Sequence, residues 1–590
     1  MKTIAPPASA ESLNVSRAES LKDTTTLLAV VAVTALVYGA LFNRESVLSY
    51  SIGYNLYSAE RLLAGQVPYR DFHTLYPPAT LYLNAALFKW LGVSLYNALL
   101  GVFVFKTLTV MFVYLSGRVV CSRGWAMATA LLSLVWLRPN GPFKAVPMHY
   151  GALFLAIALW LLLKDSRAPR SALLFAAGCA LGVLATFKHN IGAYALIGAL
   201  VVALLDNEQR SLRPSVLIRH WRRGAILIAG FLLPVVPMLV YMKSQHALGA
   251  MTRALLFGPG EFLLNRLAAV PLPDVPLLCA IVLAALFFIV ARLQANQANA
   301  MNRRVADIIV GAAIAASLAL VLLAPQSAID KLIFYLPVFV IIAAVAVFFF
   351  NEERTPSERR ALLTVTVAAA AAFMEAFPRF AREQAIAAMP FVSLLVVVLL
   401  RFLLPLVKRR MNLARPFAVA LLCFPVIFGL IGARLLFNTA FDAGLRFRSN
   451  TELKIARGRG VYFPAAQARE IESVVDYIQQ HVPPEGYFFP QSYAGSSYLF
   501  LADRRNPSGA QFWGGVGVSA AERARTLDAL EREGVHLIVT SEKDMAAERY
   551  APLRDYIEQN FNESARFGEV VILERSAESL MRGGWLYVFQ

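Results

Sequence analysis

Between Tyr57 and Pro78 the chain gathers Glu60, Arg61, Tyr69, Arg70, Asp71, His73 and Tyr76, a dense set of acidic, basic and aromatic groups for a connecting segment. A carboxylate can take the proton of a hydroxyl as its oxygen attacks, and guanidinium, imidazole or ammonium groups can hold a departing anion. Asp71 is the only Asp between the first two apolar stretches and is therefore the candidate base. Arg70 and His73, with Lys188 farther along, are the candidate anion partners. Blander roles stand beside these: a solvated Arg70–Asp71 ion pair, a structural hydrogen bond from His73, and Tyr69 and Tyr76 as anchors at the lipid headgroup level. His73 is also of a type that ligates a divalent cation, but no second His stands at a spacing that makes a metal site. No metal site is assigned, and whether a divalent cation takes part is left open.

The elements around this segment explain how it would be held. Leu56, Ala59, Leu62 and Leu63 recur at helical spacing over residues 51 to 65, with Asn55, Glu60 and Arg61 off that stripe and Gly65 at its end, which predicts a short amphipathic helix lying along the membrane surface. Pro77-Pro78 can open a second helix, whose apolar residues Leu81, Leu83, Leu87 and Phe88 run up to Gly92. Two interfacial helices then clasp the polar loop.

Of the 590 residues 58% are hydrophobic and 16% charged, too apolar for a soluble multidomain chain and in keeping with a polytopic α-helical membrane protein. At roughly 20 apolar residues per span, about thirteen spans fit, the first near 27 to 43 and the last near 416 to 437. The net charge of +18 is spread in short basic clusters at alternate span ends rather than along one stripe, which argues against nucleic acid. This positive-inside pattern predicts a cytoplasmic segment 1–26 leading into a retained signal-anchor, a transmembrane domain 27–438 with an external loop 44–93, and an external domain 439–590. The four cysteines lie in or beside apolar spans without paired spacing and read as small hydrophobic residues. After residue 440 shorter, alternating patterns predict a small α/β domain, with helices at 471–481 and 520–533 and strands at 486–490, 535–540 and 570–574. Loops at 246–272 and 375–388 are polar enough to fold back over an external cavity.

Lys188, His189 and Asn190 make a polar break between two short apolar spans, followed by Gly192. Lys188 and Asn190 are candidate phosphate-binding residues there, with snorkelling of the lysine to lipid as the alternative. Arg379 and Arg382, in a later external loop, suit a phosphate or lipid headgroups equally well.

Three patches resemble the GT-C superfamily of membrane glycosyltransferases, in particular bacterial enzymes related to protein mannosyltransferases and to lipid-A glycosyltransferases of the Rgt type. They are Gly65 to Phe72 followed by Tyr76-Pro77-Pro78, Thr186 to Gly192, and Leu499 to Pro507. The resemblance implies a GT-C-like fold and transfer of a sugar from a polyprenyl-phosphate donor to a glycan, lipid or protein acceptor, at the outer face of a bacterial inner membrane. Asp71 would then activate the acceptor, with Arg70, His73, Tyr76, Lys188, Asn190, Arg379 and Arg382 around donor and acceptor. The chain departs from the family where an acidic residue usually follows the first span: Ser51, Ile52 and Gly53 stand there. Asp71 takes over that role, or the chain is a non-catalytic scaffold; a transporter or flippase of a lipid-linked glycan is the other alternative. In the external domain Asp503-Arg504-Arg505 read as surface charges of a structural or acceptor-orienting appendage.

Overall fold

The computed structural model describes residues 10–44, 48, 50–136, 143–205, 214–257, 323, 326–350, 355–376, 382–408, 427–435, 437–438, 447–491, 495–509, 520–545 and 551–582. The spans expected near 273 to 292 and 307 to 324 lie outside these residues, as does most of the one near 416 to 437. In chain order the helices of the first part are α1 (Ala10–Leu41), α2 (Tyr50–Leu63), α3 (Ala79–Leu91), α4 (Leu95–Val120), α5 (Arg123–Trp136), α6 (Pro147–Arg167), α7 (Ser171–Phe187), α8 (His189–Leu204) and α9 (Pro214–Ser244). There follow α10 (Leu248–Thr252) with a π turn at Arg253–Phe257, α11 (Gln326–Phe350), α12 (Pro356–Phe373) with a 3-10 turn at Met374–Ala376, and α13 (Arg382–Lys408).

Among the described residues, five segments are long and apolar enough to cross a membrane: Leu21–Leu41, Leu95–Val120, Pro147–Arg167, His220–Ser244 and Gln384–Leu403. The first and fourth are only 17% buried within the protein, so their apolar flanks face outward, an arrangement suited to lipid rather than water. The chain is a polytopic α-helical membrane protein. Local chemistry fixes the helix ends: the Ser94 hydroxyl accepts from the Asn97 N–H at 3.1 Å to start α4, and Thr355 and Glu358 form a capping box at α12 behind Pro356. The helices pack closely where side chains are smallest. A Cβ built on Gly178 or Gly182 of α7 would stand 2.2 Å from a carbonyl oxygen of α9, so these glycines let the two backbones meet.

The C-terminal region holds β1 (Asn450–Glu452), β2 (Tyr462–Pro464), α14 (Ala465–His481), β3 (Phe489–Pro490), α15 (Gly495–Ala502), α16 (Ala520–Arg532), β4 (Leu537–Ser541), α17 (Glu542–Met545), α18 (Ala551–Asn560), β5 (Phe561–Phe567), β6 (Val570–Arg575) and α19 (Ala577–Arg582). Its main sheet runs β3-β4-β6-β5; β3 is parallel to β4 and the other pairs are antiparallel. Alternation sends Leu537 and Val539 into a core with α14 and α15, and Ile538 into a second core with Leu530 and Leu553 of α16 and α18. The first core continues through Leu499 and Phe500 to Leu56, Phe88 and Tyr38. The C-terminal region is thus built onto the helical domain through shared apolar packing.

That packing corrects the expected place of α2. Asn55 and Arg61, expected on a solvated face, are buried, because α15 lies across α2. Gly53 permits this: a Cβ there would come within 2.2 Å of the Ser497 backbone nitrogen.

Candidate functional site

The loop after α2 is held by its own backbone. Gly65 reverses the chain at φ +83°, a conformation open to glycine. Val67 N–H donates to Asp71 Oδ2 at 2.7 Å, while Asp71 N–H donates to the Val67 carbonyl at 2.9 Å, so the carboxylate staples its own turn. Tyr69, at φ +66°, sits buried against Met242, Met251 and Leu255, and its hydroxyl donates to the Tyr76 carbonyl at 2.5 Å. The early part of the 246–272 loop therefore does pack on this turn; its remainder lies outside the described residues.

On one flank, the loop, α2 and the stretches 484–487 and 503–509 border a cavity of about 560 Å³ whose walls include Glu60, Arg61, Asp71, Tyr487, Asp503 and Arg505. Arg61 organises the wall: its guanidinium donates to Gln66, to the Ser508 carbonyl at 3.2 Å and to the Asp71 carbonyl at 3.1 Å, above the Phe72 ring. The His73 N–H donates to the Gly509 carbonyl at 3.0 Å and its carbonyl accepts from the Tyr54 hydroxyl, so backbone groups of His73 tie the loop to both neighbours.

The two carboxylates on this cavity differ. Both oxygens of Asp71 accept from Arg70, which with the Val67 N–H holds the acid below its ordinary value. Glu60 is pushed up to about 7 by burial, against the opposing pull of Arg457. Arg457 bridges Glu60 and Asp503 and donates to the Phe500 carbonyl at 2.8 Å. Arg504 is not the surface charge expected from the sequence: its buried guanidinium satisfies the carbonyls of Val482, Ala502 and Asp503. Four carbonyls in its reach, with that of Gln479 at 3.3 Å the fourth, explain the burial.

The other flank carries the second polar patch. Lys188 stands between α7 and α8 as expected; its ammonium lies 3.0 Å from Glu375 Oε1 and 4.6 Å above the centre of the Tyr76 ring. Tyr76 thereby joins the loop to this pair. Asn190, in the first turn of α8, keeps a buried Oδ1 without a hydrogen-bond partner among the described residues. Arg70 reaches Gln245, past the end of α9, at 3.4 Å. Arg379 lies outside the described residues and Arg382 opens α13. Asp71, Arg70, His73, Tyr76 and Lys188 thus belong to one assembly, spread over two flanks.

Arg61, Glu375 and Arg457 complete this assembly, and sequence reasoning passed over them as site residues. The signal for Glu375 was present in the polar 375–388 stretch; for Arg457 no local pattern marks a partner of α2. Among the described residues no group of three or more His, Cys, Asp or Glu is placed to hold a metal ion.

No protein-family model and no curated protein matches this chain. The chain is similar to ArnT. The solved structure is that of the Cupriavidus metallidurans protein bound to undecaprenyl phosphate, at 16% identity over 94% of this chain and 98% of that one, with a TM-score of 0.42. It is also similar to the Archaeoglobus fulgidus oligosaccharyltransferase tethered to an acceptor peptide, at 13% identity over 91% of this chain and 72% of that one, with a TM-score of 0.45. A further similar structure is the archaeal oligosaccharyltransferase AglB with an inhibitory peptide and a dolichol-phosphate, at 15% identity over 94% of this chain and 74% of that one, with a TM-score of 0.42.

Proposed function

We propose that this chain is an integral membrane glycosyltransferase, moving a sugar from a polyprenyl-phosphate donor to a hydroxyl of a glycan, lipid or protein at the outer face of a bacterial inner membrane. The observation that carries the reading is the loop itself. It presents a carboxylate to a polar cavity of about 560 Å³ on one flank and packs Tyr76 under the Lys188 ammonium on the other, at the end of an apolar helical domain. A lipid-linked donor needs an apolar body beside a cationic headgroup site, and a hydroxyl acceptor needs a polar space with a base.

In this reading the acceptor O–H gives its proton to Asp71 as its oxygen bonds to the anomeric carbon. The bond from that carbon to the phosphate oxygen breaks, and the polyprenyl phosphate leaves with the electron pair. Arg70 is well exposed, so it can swing from Asp71 towards the departing phosphate and release the carboxylate as it does so. Glu60 is a second reading for the base, favoured by its value near 7 on the same cavity, since a base titrating close to the working pH transfers protons best.

Purified protein in lipid nanodiscs, assayed for transfer with a panel of polyprenyl-phosphate sugars, tests both. Asp71→Asn is expected to lower transfer by roughly 10²- to 10⁴-fold, with Glu60→Gln within a few fold of the parent and a rate that holds steady as pH falls from 8 to 6. A rate that drops as pH falls through about 7, together with loss of transfer in Glu60→Gln, assigns the base to Glu60. Full transfer by both variants removes the loop from the chemistry, and no transfer from any donor overturns the reading.

A further inference from the structure

We infer that Glu375 is the displaceable counter-ion of an anion site at Lys188: it neutralises the ammonium in the resting chain and yields it to the phosphate of an incoming polyprenyl phosphate. The inference rests on the proposed function and adds a residue and a competition to it.

Three observations carry it. The pair is close and sheltered, with side-chain exposures of 14% for Lys188 and 6% for Glu375, so it is screened little by water. It is also incomplete, because Glu375 Oε2 is buried without a hydrogen-bond partner among the described residues. A half-satisfied buried carboxylate carries a desolvation penalty that a fully bonded one does not. Finally, the two charged side chains border a cavity of about 30 Å³, room for a water molecule, whose other walls, Met148, Leu184 and Phe391 among them, are apolar. An ammonium set against apolar side chains matches the junction of an anionic headgroup and a lipid tail better than a free sugar or a peptide, provided the headgroup takes the place of the Glu375 carboxylate.

A phosphate brings more negative charge and more acceptor oxygens than one carboxylate, so it can compete for the ammonium. The site is wired to the loop: Lys188 rests on the Tyr76 ring, and the Tyr76 carbonyl holds the Tyr69 hydroxyl. Drawing the ammonium away from Glu375 therefore alters a contact of the segment that carries Asp71.

The competition gives a signature opposite to that of a structural ion pair. In nanodiscs of neutral phosphatidylcholine, binding of a polyprenyl phosphate is measured for the parent, Glu375→Gln, Glu375→Asp and Lys188→Met, each checked by thermal melting. Glu375→Gln is expected to bind roughly 10-fold more tightly, the scale of one lost charge competitor, Glu375→Asp to fall between it and the parent, and Lys188→Met to bind at least 10-fold more weakly. Unchanged or weaker binding in Glu375→Gln and Glu375→Asp, with Lys188→Met still impaired, overturns the counter-ion role and leaves the phosphate reading of Lys188 standing. Unchanged binding in Lys188→Met removes the anion site altogether, and a parent that binds no polyprenyl phosphate removes the proposed function with it. Equal displacement by phosphatidic acid at the same mole fraction makes this a general headgroup site and likewise overturns the inference.

Discussion

Glu60 and Asp71 share one cavity, yet their surroundings drive them in opposite directions: Arg70 and a backbone N–H hold Asp71 ionised, while burial favours the protonated form of Glu60. This has a consequence for stability. Between the ordinary value of 4.5 and the folded value of about 7, the folded chain holds a proton on Glu60 that the unfolded chain releases, so this residue's contribution falls as pH rises through that window and is level above it. For Asp71 the sign reverses, its contribution being lost as pH falls through its depressed folded value. Thermal melts of the parent and Glu60→Gln at pH 5 and pH 8 isolate the first effect. The melting temperature of the parent relative to Glu60→Gln should be lower at pH 8 than at pH 5; an identical difference at the two values would show that Glu60 does not titrate on folding. Asp71 was legible in the sequence because its turn partners lie within a few residues of it. Arg457 was not, and Glu375 showed only as part of a polar stretch, because their partners are supplied by segments far away in the chain that only the tertiary fold brings near.

At the scale of elements, the seating of α2 decides whether the cavity exists, since one wall belongs to α2 and its loop and the other to the segment that flanks α15. Gly53 is where the two helices meet: an added methyl would lie 2.2 Å from Ser497 N and 2.4 Å from its Cα, both backbone atoms that cannot rotate aside. Gly53→Ala is therefore expected to cost about 1–3 kcal/mol, the usual scale of overpacking, and to loosen α15 and the stretch 503–509 that follows it. Gly249→Ala in α10, where a methyl meets nothing within 4 Å, is the control and should be neutral or stabilising by up to about 1 kcal/mol. Thermal melting together with limited proteolysis reads both; a Gly53→Ala protein as stable and as protease-resistant as the control would mean that α15 does not press on α2. Helical periodicity predicted α2 and α3 nearly to their ends, and Gly65 and Gly92 take the positive φ expected of helix stops. The periodicity misplaced the polar face of α2, because a helix that buries one stripe in the helical domain and the other in a later domain has the same pattern as one that faces water. In the C-terminal region the helices near 471 and 520 and the strands near 537 and 570 matched their patterns, whereas β5 was missed, since its exposed run Asn562-Glu563-Ser564 lacks the apolar alternation that marks a strand.

Across the whole molecule one set of ion pairs gathers at a single end of the helices. Asp23 of α1 pairs with Arg118 of α4 at 2.6 Å and Arg123 of α5 at 2.7 Å, Asp165 of α6 pairs with Arg223 of α9, and Arg401 of α13 pairs with Glu358 at the start of α12. The Ser357 hydroxyl donates to the Ser166 carbonyl at 3.2 Å, joining the ends of α12 and α6 at the same level. The loop with Asp71, the Lys188–Glu375 pair and the C-terminal region lie at the other ends of these helices: Asn43, just past α1, donates to the Gly460 carbonyl, and Glu375 follows α12. Basic residues at span ends are retained on the cytoplasmic side during insertion, so the end with Arg118, Arg123 and Arg223 should be cytoplasmic and the candidate site external. Single cysteines introduced into a cysteine-free background test this without fusing a reporter. Glu485→Cys, at the exposed rim of the cavity, should react with a membrane-impermeant maleimide applied to intact spheroplasts, and Arg170→Cys, in the exposed turn between α6 and α7, only after lysis. Labelling of Arg170→Cys in intact cells, with Glu485→Cys protected, would invert the orientation. It would place the cavity, and any transfer performed there, on the cytoplasmic face, where a donor would have to be presented from the opposite leaflet.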